Sequence, residues 1–148
     1  MEPGVMEPGH IEFIHRSWPA DPTQLAVIRH ELASWLAPLR LTDEETADVV
    51  LAVDEAVANV VDHAYRGRPD GGTVNVYAWT TADSDGRRVT VSVTDQGRWR
   101  PVPVDPGRRG RGLLMMSTCM ASLHIEHSAG GTSVTMTSNA LPDPDPVA

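Results

Sequence analysis

The segment DEAVANVVDHAY, residues 54–65, combines the periodicity of a buried helix with side chains that can do chemistry. Glu55, Asn59 and His63 stand four residues apart. Four residues advance an α-helix by about 400°, so these side chains are expected to form a narrow polar ridge beside a face of valines. Such a ridge could hold a metal ion or move a proton, and it could equally be the solvated outer face of the helix.

Two later segments could complete an anion-binding site. Asp95 and Gly97 end the alternating stretch VSVTDQG, where the carboxylate could bind a ligand or simply shape its own turn. The stretch GRRGRGLL, residues 107–114, places three glycines before a predicted helix, whose first amide groups suit a phosphate. The arginines concentrate in the same part of the chain: Arg98, Arg100, Arg108, Arg109 and Arg111. Because the net charge is −8, this basic segment is where we expect an anion to bind.

Composition excludes several other kinds of site. All twelve basic residues are arginine, so a P-loop or a kinase site that depends on a lysine is excluded. Cys119 is the single cysteine, which rules out an internal disulfide and a cysteine-based zinc site. The acidic balance argues against direct nucleic-acid binding, and the apolar runs are too short to cross a membrane. We therefore expect a cytoplasmic protein.

The 148 residues correspond to one domain of two layers. Thr42 and Glu45 have the spacing of a capping box, which predicts that a long helix begins there. The predicted elements are a strand over 10–18, a helix ending near residue 39, a helix over 41–65, a hairpin of strands over 71–79 and 87–95, an irregular segment over 96–109, a helix over 110–120 and two strands over 122–128 and 132–138. This order predicts a two-layer α/β sandwich, with about three helices on one face of a mixed, mostly antiparallel sheet.

The ends of the chain have a different composition. Residues 1–9 repeat Met-Glu-Pro-Gly and are predicted to be a flexible leader. Residues 139–148 are rich in proline and aspartate and are predicted to be a disordered tail. The folded domain is therefore expected to span residues 10–138.

Four short motifs occur in a fixed order: E-x-x-x-N, D-x-G, G-x-G-L and G-T. They are formed by Glu55 and Asn59, Asp95 and Gly97, Gly110, Gly112 and Leu113, and Gly131 and Thr132. This set resembles the ATP-binding fold shared by DNA gyrase, sensor histidine kinases and MutL, the GHKL superfamily. The short chain has no helix carrying a phosphoacceptor histidine, so it most resembles the anti-sigma factor serine kinases of the SpoIIAB and RsbW type.

The resemblance implies a role for each motif residue. Asn59 would coordinate Mg²⁺ that bridges the phosphates of ATP, and Glu55 would be the general base. Asp95 would accept a proton of the adenine amino group with help from Thr132, and Gly97 would let the base lie against the backbone. The phosphates would be held by the lid residues Arg108, Arg109, Gly110, Arg111, Gly112 and Leu113.

The resemblance also implies partners. The protein would bind a sigma factor and phosphorylate a serine on an anti-anti-sigma protein of the STAS type, and it would be a homodimer joined through its first strand and first helix. One position departs from the pattern, because Trp99 stands where the family has the second glycine of D-x-G-x-G. An indole cannot provide the backbone freedom of glycine. The alternative is therefore a non-catalytic interaction domain of the same fold with weak or lost ATP binding.

Overall fold

A computed structural model describes residues 13–65, 71–97 and 114–141. The elements are β1 (Phe13–Pro19), α1 (Leu25–Leu36), α2 (Asp43–Asn59), β2 (Thr73–Asp83), β3 (Gly86–Asp95), α3 (the helical residues 114–119), β4 (Ser122–Ser128) and β5 (Gly131–Thr137). The strands form one sheet in the order β1-β2-β3-β5-β4, and every neighbouring pair is antiparallel. The predicted two-layer sandwich is confirmed. In these described ranges, no helix is both long enough and apolar enough to cross a membrane.

Helix α2 begins where its sequence predicts. The Glu45 backbone N–H donates to Thr42 Oγ1 at 3.0 Å, and the Thr42 backbone N–H donates to Glu45 Oε1 at 2.8 Å. These reciprocal bonds satisfy amide groups that a helix start leaves without partners. From there, the stripe of valines and alanines turns toward the sheet and is buried: Val49, Ala52, Val53, Ala56 and Val57.

The sheet buries one face against the helices. Val89, Val91 and Val93 of β3 are each at most 1% exposed, and Val74 and Val76 of β2 lie beside them. Because side chains alternate across a strand, the residues between them line the open face of the sheet. That open face carries hydroxyl groups in its centre, where Thr90 bonds Thr137 and Ser92 lies within hydrogen-bonding distance of Ser133 and Thr135.

The first strand is confirmed, and it turns Ile14 and Trp18 toward the helices. Phe13 lies on the open face of the sheet and is 58% exposed. Trp18 and Trp35 are half-buried and pack against the core.

The predicted disordered tail is wrong for residues 139–141. Leu141 is 4% exposed, and its backbone exchanges two hydrogen bonds with Arg87 at the start of β3. The Leu141 side chain gains apolar burial there, and local composition gives no signal for that distant pairing. Residues 1–9 and 142–148 lie outside the described ranges.

Candidate functional site

The last residue of β3 is an acid placed in an apolar layer. Asp95 lies on the helix-facing side of the sheet and pairs in register with Thr132 of β5. Burial raises the pKa of Asp95, while hydrogen bonds from the backbone N–H groups of Gly97 and Thr132 act in the opposite direction. The Gly97 N–H donates to Asp95 Oδ1 at 2.9 Å. A poorly hydrated carboxyl group that is already oriented by amides is suited to accept one further hydrogen bond from a ligand.

Two glycines let the backbone close tightly around this acid. A Cβ atom at Gly97 would lie 2.0 Å from the carbonyl oxygen of Ala64, and one at Gly131 would lie 1.9 Å from the carbonyl oxygen of Asp95. Gly131 also has φ of +143°, which side chains rarely tolerate. The turn after β3 is therefore in direct contact with the end of the helix that follows α2.

The helix beyond Asn59 is wider than an α-helix. Residues Val60–Ala64 form one π-helical turn, and Tyr65 follows it. Bonding of the i→i+5 kind turns the chain less per residue than an α-helix does, so the α-helical spacing used to predict the ridge does not apply to His63. Glu55, Asn59 and His63 are all half-buried, and their expected alignment in one ridge stays a prediction.

Glu55 and Asn59 are half-buried, and neither side chain bonds any residue in the parts of the chain that the structure describes. The neighbouring acid, Asp54, points elsewhere and pairs with Arg29 of α1 at 3.0 Å. Burial raises the pKa of Asp54, and the positive charge of Arg29 lowers it. Asp54 therefore joins the two helices, whereas Glu55 and Asn59 keep polar atoms available.

Tyr65 joins the helix end to the Asp95 turn. Its hydroxyl donates to the carbonyl oxygen of Thr73 at 2.6 Å and accepts from the Gln96 N–H at 2.9 Å. This side chain therefore connects three segments: the start of β2, the end of the helix and the turn after β3. The sequence interpretation gave Tyr65 no role.

A cavity of about 480 Å³ opens beside Asp95 at the β4–β5 hairpin. Asp95, Gly131 and Thr132 line it, together with Glu126 and His127 of β4. Glu55 and Asn59 do not line it. The structure thus brings together Asp95, Gly97, Gly131 and Thr132, and leaves Glu55 and Asn59 on the adjoining helix.

Several predicted site residues lie outside the described ranges. They are the lid residues Arg108, Arg109, Gly110, Arg111, Gly112 and Leu113. Their predicted contacts with phosphate stay predictions.

The chain matches the histidine kinase-like ATPase domain family over residues 18–138. It belongs to that family. Among curated proteins it is 32% identical to an anti-sigma F factor of Thermoanaerobacter over 121 residues, which cover 74% of this chain and 80% of the relative. It is 28% identical to the serine-protein kinase RsbW of Bacillus licheniformis over 141 residues, which cover 85% of this chain and 84% of the relative.

The chain also resembles solved structures. The chain is 30% identical to a Mycobacterium tuberculosis protein whose crystal structure contains RsbU and RsbW domains, with a TM-score of 0.69. The match covers 90% of this chain and 33% of that longer protein. The histidine kinase domain of Erythrobacter litoralis EL346 matches with a TM-score of 0.52 at 22% identity, a likeness of fold alone.

The site of this ATPase-family chain fits a nucleotide better than a metal ion by itself. Among the residues that the structure describes, no group of three or more His, Cys, Asp or Glu side chains could hold a metal ion. An ion at Asn59 would need most of its ligands from phosphate oxygens and water, which Mg²⁺ accepts. The Asp95 turn, in contrast, is already shaped, because its carboxyl group is oriented by two amides and its glycines have no room for side chains.

Proposed function

We propose that this chain is an ATP-dependent protein serine kinase and anti-sigma factor. The observation that carries the proposal is the placement of two half-buried polar residues, Glu55 and Asn59, on the helix that ends against the Asp95 turn; neither side chain bonds another residue of the described ranges. The names of the relatives, anti-sigma F factor and serine-protein kinase RsbW, support the same function.

The order of these residues along the helix supports a single bound nucleotide. Ala64 touches the turn that follows Asp95, Asn59 lies about one turn back, and Glu55 is roughly 6 Å farther along the axis. Asp95 would accept a hydrogen bond from the adenine amino group, with Thr132 beside it and Gly97 against the ring. The phosphates would then extend along α2 toward Glu55.

Asn59 would hold Mg²⁺ through its amide oxygen, and bound Mg²⁺ supplies charge neutralisation for the phosphates. The lid residues Arg108, Arg109, Gly110, Arg111, Gly112 and Leu113 would contact the phosphates from the other side.

Glu55 would act on the hydroxyl group of the partner's serine. The serine Oγ–H proton passes to the Glu55 carboxylate while Oγ bonds to the γ-phosphorus. The bond between the γ-phosphorus and the bridging oxygen breaks, and ADP leaves with that oxygen. The serine belongs to an anti-anti-sigma protein of the STAS type in this proposal, and a sigma factor is the second partner.

Substitution of Glu55 tests the kinase assignment. We expect Glu55→Gln to bind ATP within about threefold of wild type and to reduce phosphate transfer by roughly 100-fold or more, because general-base catalysis contributes 10²–10⁴ in rate. Transfer is measured with γ-labelled ATP and a purified STAS-type protein. Glu44→Gln, an exposed acid in the first turn of α2, is the matched control. Wild-type transfer by Glu55→Gln would contradict the assignment.

The open face of the sheet supports the alternative of a non-catalytic interaction domain. Phe13 packs against Tyr77 and Trp79 with ring centroids 6.0 and 6.3 Å apart, and His15 stacks on Tyr77 at 4.2 Å. Phe13 and His15 are exposed and Tyr77 and Trp79 are half-buried, and aromatic groups at a surface are typical of protein-binding sites. If the wild-type protein binds its protein partners but does not bind ATP and does not transfer phosphate from it, the protein functions as an interaction domain.

The aromatic residues on the open face of the sheet also support the homodimer that the resemblance implies. β1 is an edge strand of the sheet, and its Phe13 is exposed. We expect Phe13→Ser to shift the sedimentation mass toward the monomer, whereas Leu51→Ser, at another exposed apolar residue, leaves it unchanged. A monomeric wild-type protein at micromolar concentration would exclude this dimer.

A further inference from the structure

Tyr65 lies where three segments of the ATPase fold meet, and both its hydroxyl and its ring have close contacts there. The residue is 8% exposed. Its hydroxyl bonds two backbone groups, the carbonyl oxygen of Thr73 and the N–H of Gln96. A buried hydroxyl that acts as donor and acceptor at once fixes the separation of the two backbones that it joins.

The ring of Tyr65 occupies a slot that the chain keeps open for it. A Cβ atom at Gly72 would lie 2.1 Å from the ring, so any side chain there would displace Tyr65. On the other side, Gly97 packs against the carbonyl group of Ala64, the residue before Tyr65. These contacts leave the ring little freedom to move, and its hydroxyl is held at one position.

The Gln96 N–H is the link from Tyr65 to the acid. Gln96 lies between Asp95 and Gly97, and Gly97 in turn donates to Asp95 Oδ1 at 2.9 Å. A shift of the Gln96 backbone therefore moves both the Asp95 main chain and the amide that orients its carboxyl group. Because Asp95 is buried, water is poorly placed to replace a lost ligand hydrogen bond.

We propose that Tyr65 is the positioning residue for base selection: its hydroxyl holds the Asp95–Gly97 turn so that the carboxyl group distinguishes a purine with a 6-amino group from one without it. This inference rests on the proposed role of Asp95 in binding adenine. Tyr65 acts through the turn and does not touch the nucleotide. Removing its hydroxyl should reduce discrimination between bases more than it reduces phosphate binding.

The test compares two nucleotides on one protein. Dissociation constants are measured for ATP and for purine riboside triphosphate, which lacks the 6-amino group, with wild type, Tyr65→Phe and Asp95→Ala. A hydrogen bond to a charged group typically corresponds to roughly tenfold or more in affinity, so wild type should prefer ATP by at least that factor. We expect this preference to fall to within about threefold of unity in Tyr65→Phe. Tyr77→Phe, at the other tyrosine of the chain, should retain it.

The ratio of the two dissociation constants separates an effect on positioning from an effect on stability. Both ligands titrate the same folded population, so a variant that is merely less stable changes both constants by the same factor. If Asp95→Ala abolishes the preference and Tyr65→Phe keeps it, the inference about Tyr65 is overturned and the role of Asp95 stands. If Asp95→Ala, which removes the acceptor oxygens, keeps the preference, the proposed role of Asp95 in adenine binding fails.

A second measurement needs no variant. If Tyr65 holds the turn, the Gln96 amide is protected from hydrogen exchange in wild-type protein before nucleotide is added. Exchange of that amide at the rate of an exposed loop would overturn the inference, even if Tyr65→Phe did not fold.

Discussion

The Asp95 turn and the space beneath α1 are packed in opposite ways. Around Asp95, two glycines leave no room for a methyl group, and the buried acid is oriented by two amides. Beneath α1, a cavity of about 400 Å³ separates the helix from β1 and β2, and the indole N–H of Trp35 is buried without a partner among the described residues. The Asp95 turn fixes the positions of its groups closely, whereas the space beneath α1 does not.

The difference indicates where geometry matters for function. Close packing around Asp95 keeps its carboxyl group away from water. This burial is unfavourable for the stability of the fold. The apolar contacts beneath α1 contribute to stability without fixing any reacting group, so incomplete packing is tolerated there. Substitutions in the first region should therefore change binding and folding together, whereas those in the second should change stability alone.

The largest effect is expected at Gly131. Gly131→Ala places a methyl group 1.9 Å from the Asp95 carbonyl oxygen at a φ of +143°. We expect a loss of about 3 kcal/mol or more in the free energy of unfolding, measured by urea denaturation, with loss of ATP binding. Gly130→Ala is the matched control, since a Cβ atom there meets only the hydroxyl of Ser128 at 3.7 Å. Equal stabilities of the two variants would show that the turn is looser than described.

Asp95 should show an intermediate effect with opposite signs for binding and stability. Asp95→Asn is expected to weaken ATP binding by roughly tenfold or more, because the charged acceptor is lost. Burial raises the folded-state pKa of Asp95 above its unfolded value. Its stabilising contribution is therefore complete below the ordinary pKa of Asp, about 3.9, and is lost as pH rises through the raised pKa.

The asparagine variant has no such loss. The unfolding free energy of Asp95→Asn relative to wild type should therefore rise with pH across that interval and then level off. Urea unfolding at a series of pH values measures it, and a relative stability that falls with rising pH would contradict the cause assigned to the shift.

The smallest effect is expected in the cavity. Ala78→Val adds apolar atoms to a strand residue that lines the space beneath α1. We expect a gain of about 0.5–1 kcal/mol in the free energy of unfolding and no change in ATP affinity. Ala56→Val, at a buried residue of α2 outside the cavity, should instead lose about 1–3 kcal/mol through overpacking. A destabilised Ala78→Val would mean that the cavity closes in solution.

Local patterns in the sequence predict much of this fold. Thr42 and Glu45 mark the start of α2 by chemistry that acts over three residues, and the valine spacing identifies its buried face. The SDG turn and the alternation on either side predict the β2–β3 hairpin, which the register confirms. These features depend on near neighbours, so a single sequence contains them.

Other features depend on distant partners and could not be predicted in the same way. The π-helical turn after Asn59 changes a periodicity that sequence reasoning takes as constant. The Tyr65 hydroxyl bonds backbone groups of Thr73 and Gln96, and every residue possesses such groups, so neither partner is visible in the sequence. The clearest signal for its slot is Gly72, where a Cβ atom would meet the ring.

The central claim is that Asn59 belongs to a magnesium–ATP site. Calorimetric titration of wild type with ATP, with and without Mg²⁺, measures it most directly, with Asn59→Ala as the test variant and Asn139→Ala, at an exposed asparagine, as the control. We expect Mg²⁺ to strengthen ATP binding to wild type and to Asn139→Ala by tenfold or more, and to have little effect on Asn59→Ala. Equal enhancement by Mg²⁺ in Asn59→Ala, or no ATP binding by folded wild-type protein, would contradict the claim.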